Sequence, residues 1–584
     1  MQELVTPEQF SKASGIGNKL LATLVMRFGG VHKLNALYNK LFPHKDLAFI
    51  DEYLKQAYIK LEVDESELAR IPKQGAFVTV SNHPYGGLDG LVLIYLIAQR
   101  RPEYKVLANF LLKRIEPIQQ FFIGVNPFED FQHVASSVTG MKQAKEMLAA
   151  GSPVGIFPAG EVSTWHRKRK GITDRDWQKP ALKLIRKAQV PVVPIYFHGH
   201  NSWSFHLLGL LHPILRTLRL PHELTSTHAR TLRVRIGYPI SVKEQSVFDD
   251  VEQLGRYLRA KTYSLGSALK PKRNFIPNLA LPEKPEPVED GISPELIAED
   301  LHRISTHKIL SQQNFDLYLA PPQLIPNILF EIGRLREITF RQEGEGTNKG
   351  LDLDAFDQYY QHLFLYDREA QQVVGAYRIG MGREIVTTRG RKGFYTNTLF
   401  RMKDGFIPVL SQSIELGRSF IIPEYQNKRM PLFMLWRGIL SVLINNPDHR
   451  YIIGPVSISN YYSQVSKSLI VAFIQRHYFD HALAKFIKPR KKYKVDKVVL
   501  DEAGLLLDST GNDIKKLDKI IDDIEPAIKS APVLLKKYIH QNARIIGFNI
   551  DPAFNQALDG FMILDIKLLP QETIDNLKKD WLKD

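Results

Sequence analysis

Apolar positions in the first half of the chain fall into short runs separated by stretches of helical period. The runs A-F-V-T-V-S (76–81), Y-K-V-L-A (104–108), P-V-G-I-F (153–157) and P-V-V-P-I-Y-F (191–197) predict buried strands. Residues 88–99, 134–149 and 178–188 carry apolar side chains at helical spacing. So does Gly17–Phe42, with Leu20, Leu21, Leu24, Val25 and Phe28 on one face. Alternation of strand and helix predicts an α/β sheet that is largely parallel. In such sheets chemistry gathers where a strand end feeds a loop into a helix.

The second half has another rhythm. H-L-F-L-Y-D-R and V-V-G-A-Y-R-I-G within 362–380 predict a β-hairpin, and 406–422 predicts a long strand. A turn over 423–430 leads to a helix at 431–443, then a strand at 450–458 and a helix beginning near Tyr461. This is an α+β layout with a mixed sheet. Six prolines in 268–294 predict an extended linker. The expected division is a domain over 1–267, the linker 268–294 and a domain over 295–584, with no internal repeat across it.

Composition narrows the chemistry. At 584 residues the chain is too long for one core. It has no cysteine, which removes disulfides, thiolate metal sites and cysteine nucleophiles, and fits a reducing compartment. The first residues carry no basic region followed by an apolar one, so no signal peptide is expected. No uncharged apolar run nears the roughly 20 residues that cross a bilayer. The net charge of +16 fits either a merely soluble basic surface or an anionic partner, whether lipid head groups, nucleic acid or an acidic protein, and charge alone does not choose. Basic clusters at 166–170 and 488–494 suit each of these.

The stretch S-N-H-P-Y-G-G-L-D-G (81–90) stands where a buried strand ends and a helix begins. A histidine oriented by an aspartate is a general base, and the helix start offers N–H groups to an oxyanion. The alternative is a histidine that merely caps the turn. F-F-I-G-V-N-P-F-E (121–129), F-P-A-G-E (157–161) and V-P-V-V-P-I-Y (190–196) follow in order. Over roughly 40–270 these blocks resemble the glycerolipid acyltransferase family that makes phosphatidic acid. The resemblance implies acyl transfer from a thioester to a hydroxyl. His83 would take the proton, Asp89 would hold His83, and Pro158, Gly160 and Glu161 would line the acceptor. Two features depart from that family. Five residues separate His83 from Asp89 where the family has four, and E-V-S-T-W replaces the arginine-bearing continuation that grips glycerol phosphate. The second departure points away from a phosphate-bearing acceptor. Glu161 would meet an amine, or bond its own turn.

R-L-R-E-I-T-F-R (334–341), L-D-L-D-A-F-D (351–357), I-E-L-G-R-S-F-I-I-P-E-Y (414–425), L-W-R-G-I (435–439) and D-G-F-M-I-L-D (559–565) also form an ordered set. It resembles the ornithine N-acyltransferase family, relatives of the acetyltransferase (GNAT) fold. That resemblance implies thioester aminolysis without an acyl-enzyme. Glu415 would bind the amine or act as base. Arg418 would pair with Glu415 or a substrate carboxylate, and Arg341 would take the same role. The alternative for Glu415 and Arg418 is a structural ion pair. The turn before the helix, Q-N-K-R-M-P, has no glycine. This favours acyl-carrier protein over coenzyme A as donor, with Lys428 and Arg429 in its docking.

Together the halves resemble the bifunctional ornithine lipid synthase family. The expected fold is a glycerolipid acyltransferase-like α/β domain followed by an acetyltransferase-like mixed-sheet domain. The expected activity is N-acylation of ornithine with a 3-hydroxyacyl group, then O-acylation of the new hydroxyl. Alternatives are the same chemistry on glycine or another amino acid, and a basic membrane- or nucleic-acid-binding protein with inactive domains. The expected partners are acyl-carrier protein, the amino acid, the lyso-lipid and the inner face of the cytoplasmic membrane, from the cytoplasm, with no nucleic acid. No cofactor beyond the acyl thioester and no metal is expected. The histidines of H-G-H-N-S-W-S-F-H (198–206) lack metal-site spacing, and 203–215 is a short apolar stretch for an interface or a core.

Overall fold

Runs without polar interruption become inner strands, because a parallel sheet covered by helices on both faces leaves no strand face in water. In the computed structural model, residues 4, 6, 8, 26, 29–125, 134–166, 171–211, 213–226, 229–267, 269, 285–495, 506–508, 510–525, 531–573 and 575 are described. The chain divides into Met1–Pro271 with Asp501–Gly511 and Asp523–Pro526, and Lys272–Leu500 with Asn512–Asp522 and Ala527–Asp584. The return of 506–508, 510–511 and 523–525 to the first unit has no signal in the sequence.

The first unit is built on strands β1 (Ile59–Glu62), β2 (Val78–Ser81), β3 (Lys105–Asn109), β4 (Phe122–Val125), β5 (Val154–Ile156), β6 (Val192–Phe197) and β7 (Arg230–Ile236). Their order is β1-β7-β6-β2-β5-β3-β4. All neighbours are parallel except β6 and β7. Every residue of β2 and β6 is buried. Helix α1 (Gly87–Ala98) is apolar almost all round and buried, so its first turn is locked against the end of β2. Helices α2 (Val134–Ala149) and α3 (Lys179–Ala188) connect the later strands, and α4 (Trp203–Leu211) follows β6.

Of the helix expected over Gly17–Phe42, Val31–Leu41 is helical; residues 17–25, 27 and 28 lie outside the described residues. So do 126–129 of the intermediate block, 167–170 of the first basic cluster, and 268 and 270–284 of the linker.

The second unit holds strands β8 (Lys308–Gln312), β9 (Phe315–Ala320), β10 (Gln361–Asp367), β11 (Gln372–Met381), β12 (Ser413–Ile421), β13 (Tyr451–Ile458), β14 (Arg544–Asp551) and β15 (Ala557–Asp565). Their order is β8-β9-β10-β11-β12-β13-β15-β14. Only β12 and β13 pair in parallel, and only over Ser413–Glu415 with Tyr451–Ile453. Helices α5 (Pro326–Gln342) and α6 (Arg429–Asn445) pack on this sheet. The long strand expected over 406–422 is corrected. Ile407–Ser411 is a helix with Pro408 in its first turn, and the strand begins at Ser413. Proline's fixed φ suits a first helical turn and removes a ladder donor.

Beneath the sheet lies a buried charge network. Arg336 and Arg378 are fully buried. Arg336 reaches Asp357 at 2.8 Å, and Arg378 reaches Asp354 at 2.6 Å and Asp357 at 3.1 Å. Burial opposes the Asp357 charge, but the two guanidiniums hold its carboxyl well below the ordinary range. The acidic loop 351–357 is thereby pinned to α5 and β11.

Removing one member strands the others in a dry interior. Arg378→Met is expected to destabilise the second unit by about 3–5 kcal/mol, read by urea denaturation. Asp357's folded pKa is lowered, so its contribution is complete above about pH 4 and is lost on acidification. The same denaturation series repeated from pH 7 to pH 3 is expected to give falling stability.

Candidate active sites

The loop from β2 to α1 carries the first site. Asn82 fixes its start with a two-point clamp: Nδ2 donates to the Phe197 carbonyl at 2.9 Å, and Oδ1 accepts the Phe197 N–H at 2.8 Å. The loop turns at Gly86, whose φ of 77° lies in the left-handed region. A Cβ there would stand 3.1 Å from Val162 and 3.2 Å from Leu220. This turn absorbs the extra residue and brings Asp89 back beneath His83. Asp89 is fully buried, and its Oδ2 accepts N–H groups of Tyr85 at 2.8 Å and Gly86 at 3.0 Å.

His83 Nδ1 stands 3.1 Å from the same oxygen, at hydrogen-bond distance but outside hydrogen-bond alignment. Burial pushes the Asp89 carboxyl above its ordinary range, and the imidazole and the two N–H groups oppose that push. The His83 ring stacks on Phe157 at 4.2 Å and keeps 17 % of its side-chain surface exposed, so an acceptor can reach it. A ring held in this way can take a proton from a hydroxyl.

Asp174 is an organiser that no motif announced. Its Oδ1 accepts the His83 N–H at 3.1 Å and the Ser163 hydroxyl at 2.5 Å, and Trp177 Nε1 donates to Oδ2 at 3.3 Å. His83 and Ser163 lie 91 and 11 residues away in sequence and only Trp177 is near, so local pattern gave no cue to the link with His83. Pro158 and Gly160 form a turn held by Gln178, whose N–H donates to the Pro158 carbonyl at 2.8 Å and whose Nε2 donates to the Ala159 carbonyl at 3.2 Å. Glu161 pairs with Arg175 Nε at 3.0 Å, a cation that sequence reasoning passed over.

In the second unit, the structure corrects the role drawn for Glu415. It is buried, and both oxygens are occupied. Oε2 accepts from the Tyr360 hydroxyl and the Tyr395 N–H, and Oε1 accepts from the Thr396 N–H and hydroxyl. Four donors fill the lone-pair sites of one carboxylate. Glu415 therefore fastens the short helix Thr396–Leu399 to β12 and has no site left for an amine. Nor does Arg418 pair with it. Arg418 meets Asp352 at 3.1 Å, Asp354 at 3.2 Å and the Tyr395 hydroxyl at 3.1 Å. Arg341 donates to Glu337 at 2.6 Å and to the carbonyls of Glu286 and Lys349, stitching loops together instead of meeting substrate.

What the second unit offers is a fork. Past Glu415 and Ile453, β12 and β13 cease to pair with each other. At the divergence, a Cβ on Gly454 would stand 2.2 Å from the Leu416 carbonyl oxygen, so only glycine fits. Beyond it Arg418 sits at φ 53° where the pairing with β11 shifts register, a bulge that re-aims its side chain. A cavity of about 140 Å³ opens there, lined by Arg418 and Ser419 of β12, Pro455–Ser457 of β13, and Glu345, Tyr395, Asp551 and Asp559. Burial pushes Glu345 up to about 8, helped by Asp559 and Glu343 and opposed by Lys467. Burial pushes Asp559 up to about 7, with Asp551 adding and Ser457 and Arg418 opposing. Strands that separate present unpaired N–H and C=O groups to an extended, amide-bearing ligand. Lys428 and Arg429 are exposed at the N-terminus of α6, a favourable place for phosphate. The signal for Asp559 was present in L-D-G-F-M-I-L-D, an acid within an apolar strand.

Residues 35–271 match the family model described as Acyltransferase, and 335–437 match that of the Acetyltransferase (GNAT) domain. The chain is an acyltransferase. The α/β unit and the mixed-sheet unit are the two folds expected. The chain is 28% identical over 284 residues to a glycine N(alpha)-acyltransferase of Bacteroides thetaiotaomicron, covering 46% of this chain and 77% of that one. It is 28% identical over 248 residues to a lyso-glycine lipid O-acyltransferase of the same organism, covering 40% and 85%. To an L-ornithine N(alpha)-acyltransferase of Agrobacterium fabrum it is 32% identical over 111 residues, covering 18% and 36%.

Two substitutions test these placements. Asp174→Ala leaves three donors short and is expected to cost about 2–4 kcal/mol in chemical denaturation and more than tenfold in acyl transfer to a hydroxyl. Glu415→Gln puts an amide N–H₂ against donors and is expected to cost about 3 kcal/mol, seen as a lower melting temperature in calorimetry.

Proposed function

We propose that this acyltransferase builds a two-chain amino-acid lipid. The second unit joins a 3-hydroxyacyl group to the α-amine of an amino acid, and the first unit esterifies the new hydroxyl. The observation that carries this reading is the presence in one chain of a hydroxyl-activating His83–Asp89 pair and an amine-sized acidic cavity at a strand fork. The relatives support it, since their names cover N-acylation of glycine and ornithine and O-acylation of a lyso-glycine lipid.

In the first unit His83 takes the acceptor's proton, Asp89 orients the ring, and the oxygen attacks the thioester carbonyl directly. In the second unit the amide-bearing arm of the donor lies along the fork, with its phosphate toward Lys428 and Arg429. The turn without glycine favours acyl-carrier protein as donor. Ornithine is the acceptor we favour. Glu345, Asp551 and Asp559 face the cavity, while Arg418 is already met by Asp352 and Asp354. The surplus of carboxylates suits a second ammonium. Glycine is the second reading, supported by the relatives that act on it.

No described helix is long and apolar enough to cross a membrane. Trp165, Trp203 and Leu207 are exposed, and the two indoles lie 6.3 Å apart. Such a patch supports action at a membrane surface, where the lyso-lipid resides.

Expression in a host without aminolipids is expected to give a new ninhydrin-positive, phosphate-free lipid on thin-layer chromatography, its amino acid read by mass spectrometry. His83→Ala is expected to lower the two-chain product at least a hundredfold while the mono-acylated form accumulates. Loss of both products from His83→Ala, or a covalently acylated polypeptide trapped in turnover, would contradict the scheme.

A further inference from the structure

We infer that Asp559 is the general base that deprotonates the amine in the second unit. The inference rests on the N-acylation reading above and assigns the proton transfer that Glu415 has no free lone pair to perform. Asp559 lies on β15, between β13 and the edge strand β14, and is 3 % exposed. Its Oδ1 accepts the Ser457 hydroxyl at 2.7 Å, which fixes the carboxylate plane. Its Oδ2 accepts no hydrogen bond from any described residue, although the side chain lines the cavity. That oxygen opens on the cavity instead of being sealed in the core, so a ligand can supply the donor it lacks. An ammonium group entering the cavity does so.

The charged groups around Asp559 set its readiness. Asp551 stands on the neighbouring β14, Glu345 on the loop after α5, Arg418 on β12, and Tyr395 across the cavity; Lys467 acts on Glu345. Burial and Asp551 raise Asp559 to about 7, and Arg418 and the Ser457 hydrogen bond restrain it. A base at this value is half ionised near neutrality, where proton transfer is most effective. By contrast Asp551 is engaged at Oδ1 by the Ala553 N–H at 2.8 Å and at Oδ2 by the Tyr395 hydroxyl at 3.4 Å.

The step balances as follows. The ammonium gives one proton to Asp559, and the free amine attacks the thioester carbonyl. The C–N bond forms as the C–S bond breaks. The remaining extra proton on nitrogen goes to the departing thiolate, and Asp559 returns its proton to solvent.

The full-length chain is assayed with a 3-hydroxyacyl thioester and with ornithine and glycine in turn. For wild type, kcat is expected to rise with pH through an apparent pKa near 7. Asp559→Asn is expected to lower kcat at pH 7.5 at least a hundredfold, to change the amine's KM less than threefold, and to abolish that limb. Ser457→Ala removes the hydrogen bond that favours the charged form, so its limb is expected to move to higher pH. This variant retains the base and tests the assignment even if Asp559→Asn folds poorly. An Asp559→Asn kcat within threefold of wild type, or an unmoved limb in Ser457→Ala, would overturn the assignment alone. Wild type giving no N-acyl product from either amino acid would overturn the N-acylation reading and this assignment with it.

Discussion

A carboxylate taken out of water has to be met by donors or cations, and both units are organised around how that requirement is satisfied. Asp89 is met at Oδ2 by two N–H groups of its own loop, with an imidazole nitrogen 3.1 Å away. Asp174 is met by the loop, a serine and an indole. Asp357 is met by two guanidiniums, and Glu415 by two N–H groups and two hydroxyls. Each of these carboxylates fixes a segment next to a candidate site. Asp89 keeps its Oδ1 without a hydrogen bond and Asp559 keeps its Oδ2 without one, the first under the His83 loop and the second where the strands part.

The two proposed sites meet a common problem differently. Attack on a thioester needs a nucleophile relieved of its proton at the right place. In the first unit the group we propose for this is a ring held over a buried carboxylate and pressed against Phe157. In the second, parallel strands pair for only three residues and then separate, leaving backbone groups and a cavity on the open side. The first site is a strand-end loop with partial access to solvent. The second lies inside a sheet, where burial raises the Asp559 and Glu345 carboxyls.

Much of the first site was legible because its parts are adjacent. His83 and Asp89 lie within seven residues, a turn of two glycines joins them, and burial of the flanking runs leaves one place for the loop. The strand pattern of the first sheet was legible for the same reason, since parallel strands buried on both faces are continuous apolar runs. The helix at Ile407–Ser411 was read as strand because five apolar-rich residues do not separate the two periods. Asp174, Arg175 and Arg378 were invisible because their partners are distant in sequence.

Sequence alone determined the two fold types, the acyltransferase character and the motifs that flank each site, since these follow from local period and from residue types in order. Tertiary structure decided which carboxylates are spent on structure and which are free. Glu415 and Asp559 look alike in a string, each an acid in an apolar strand. Their difference lies in the donors that other segments bring to them, and only the folded chain sets those.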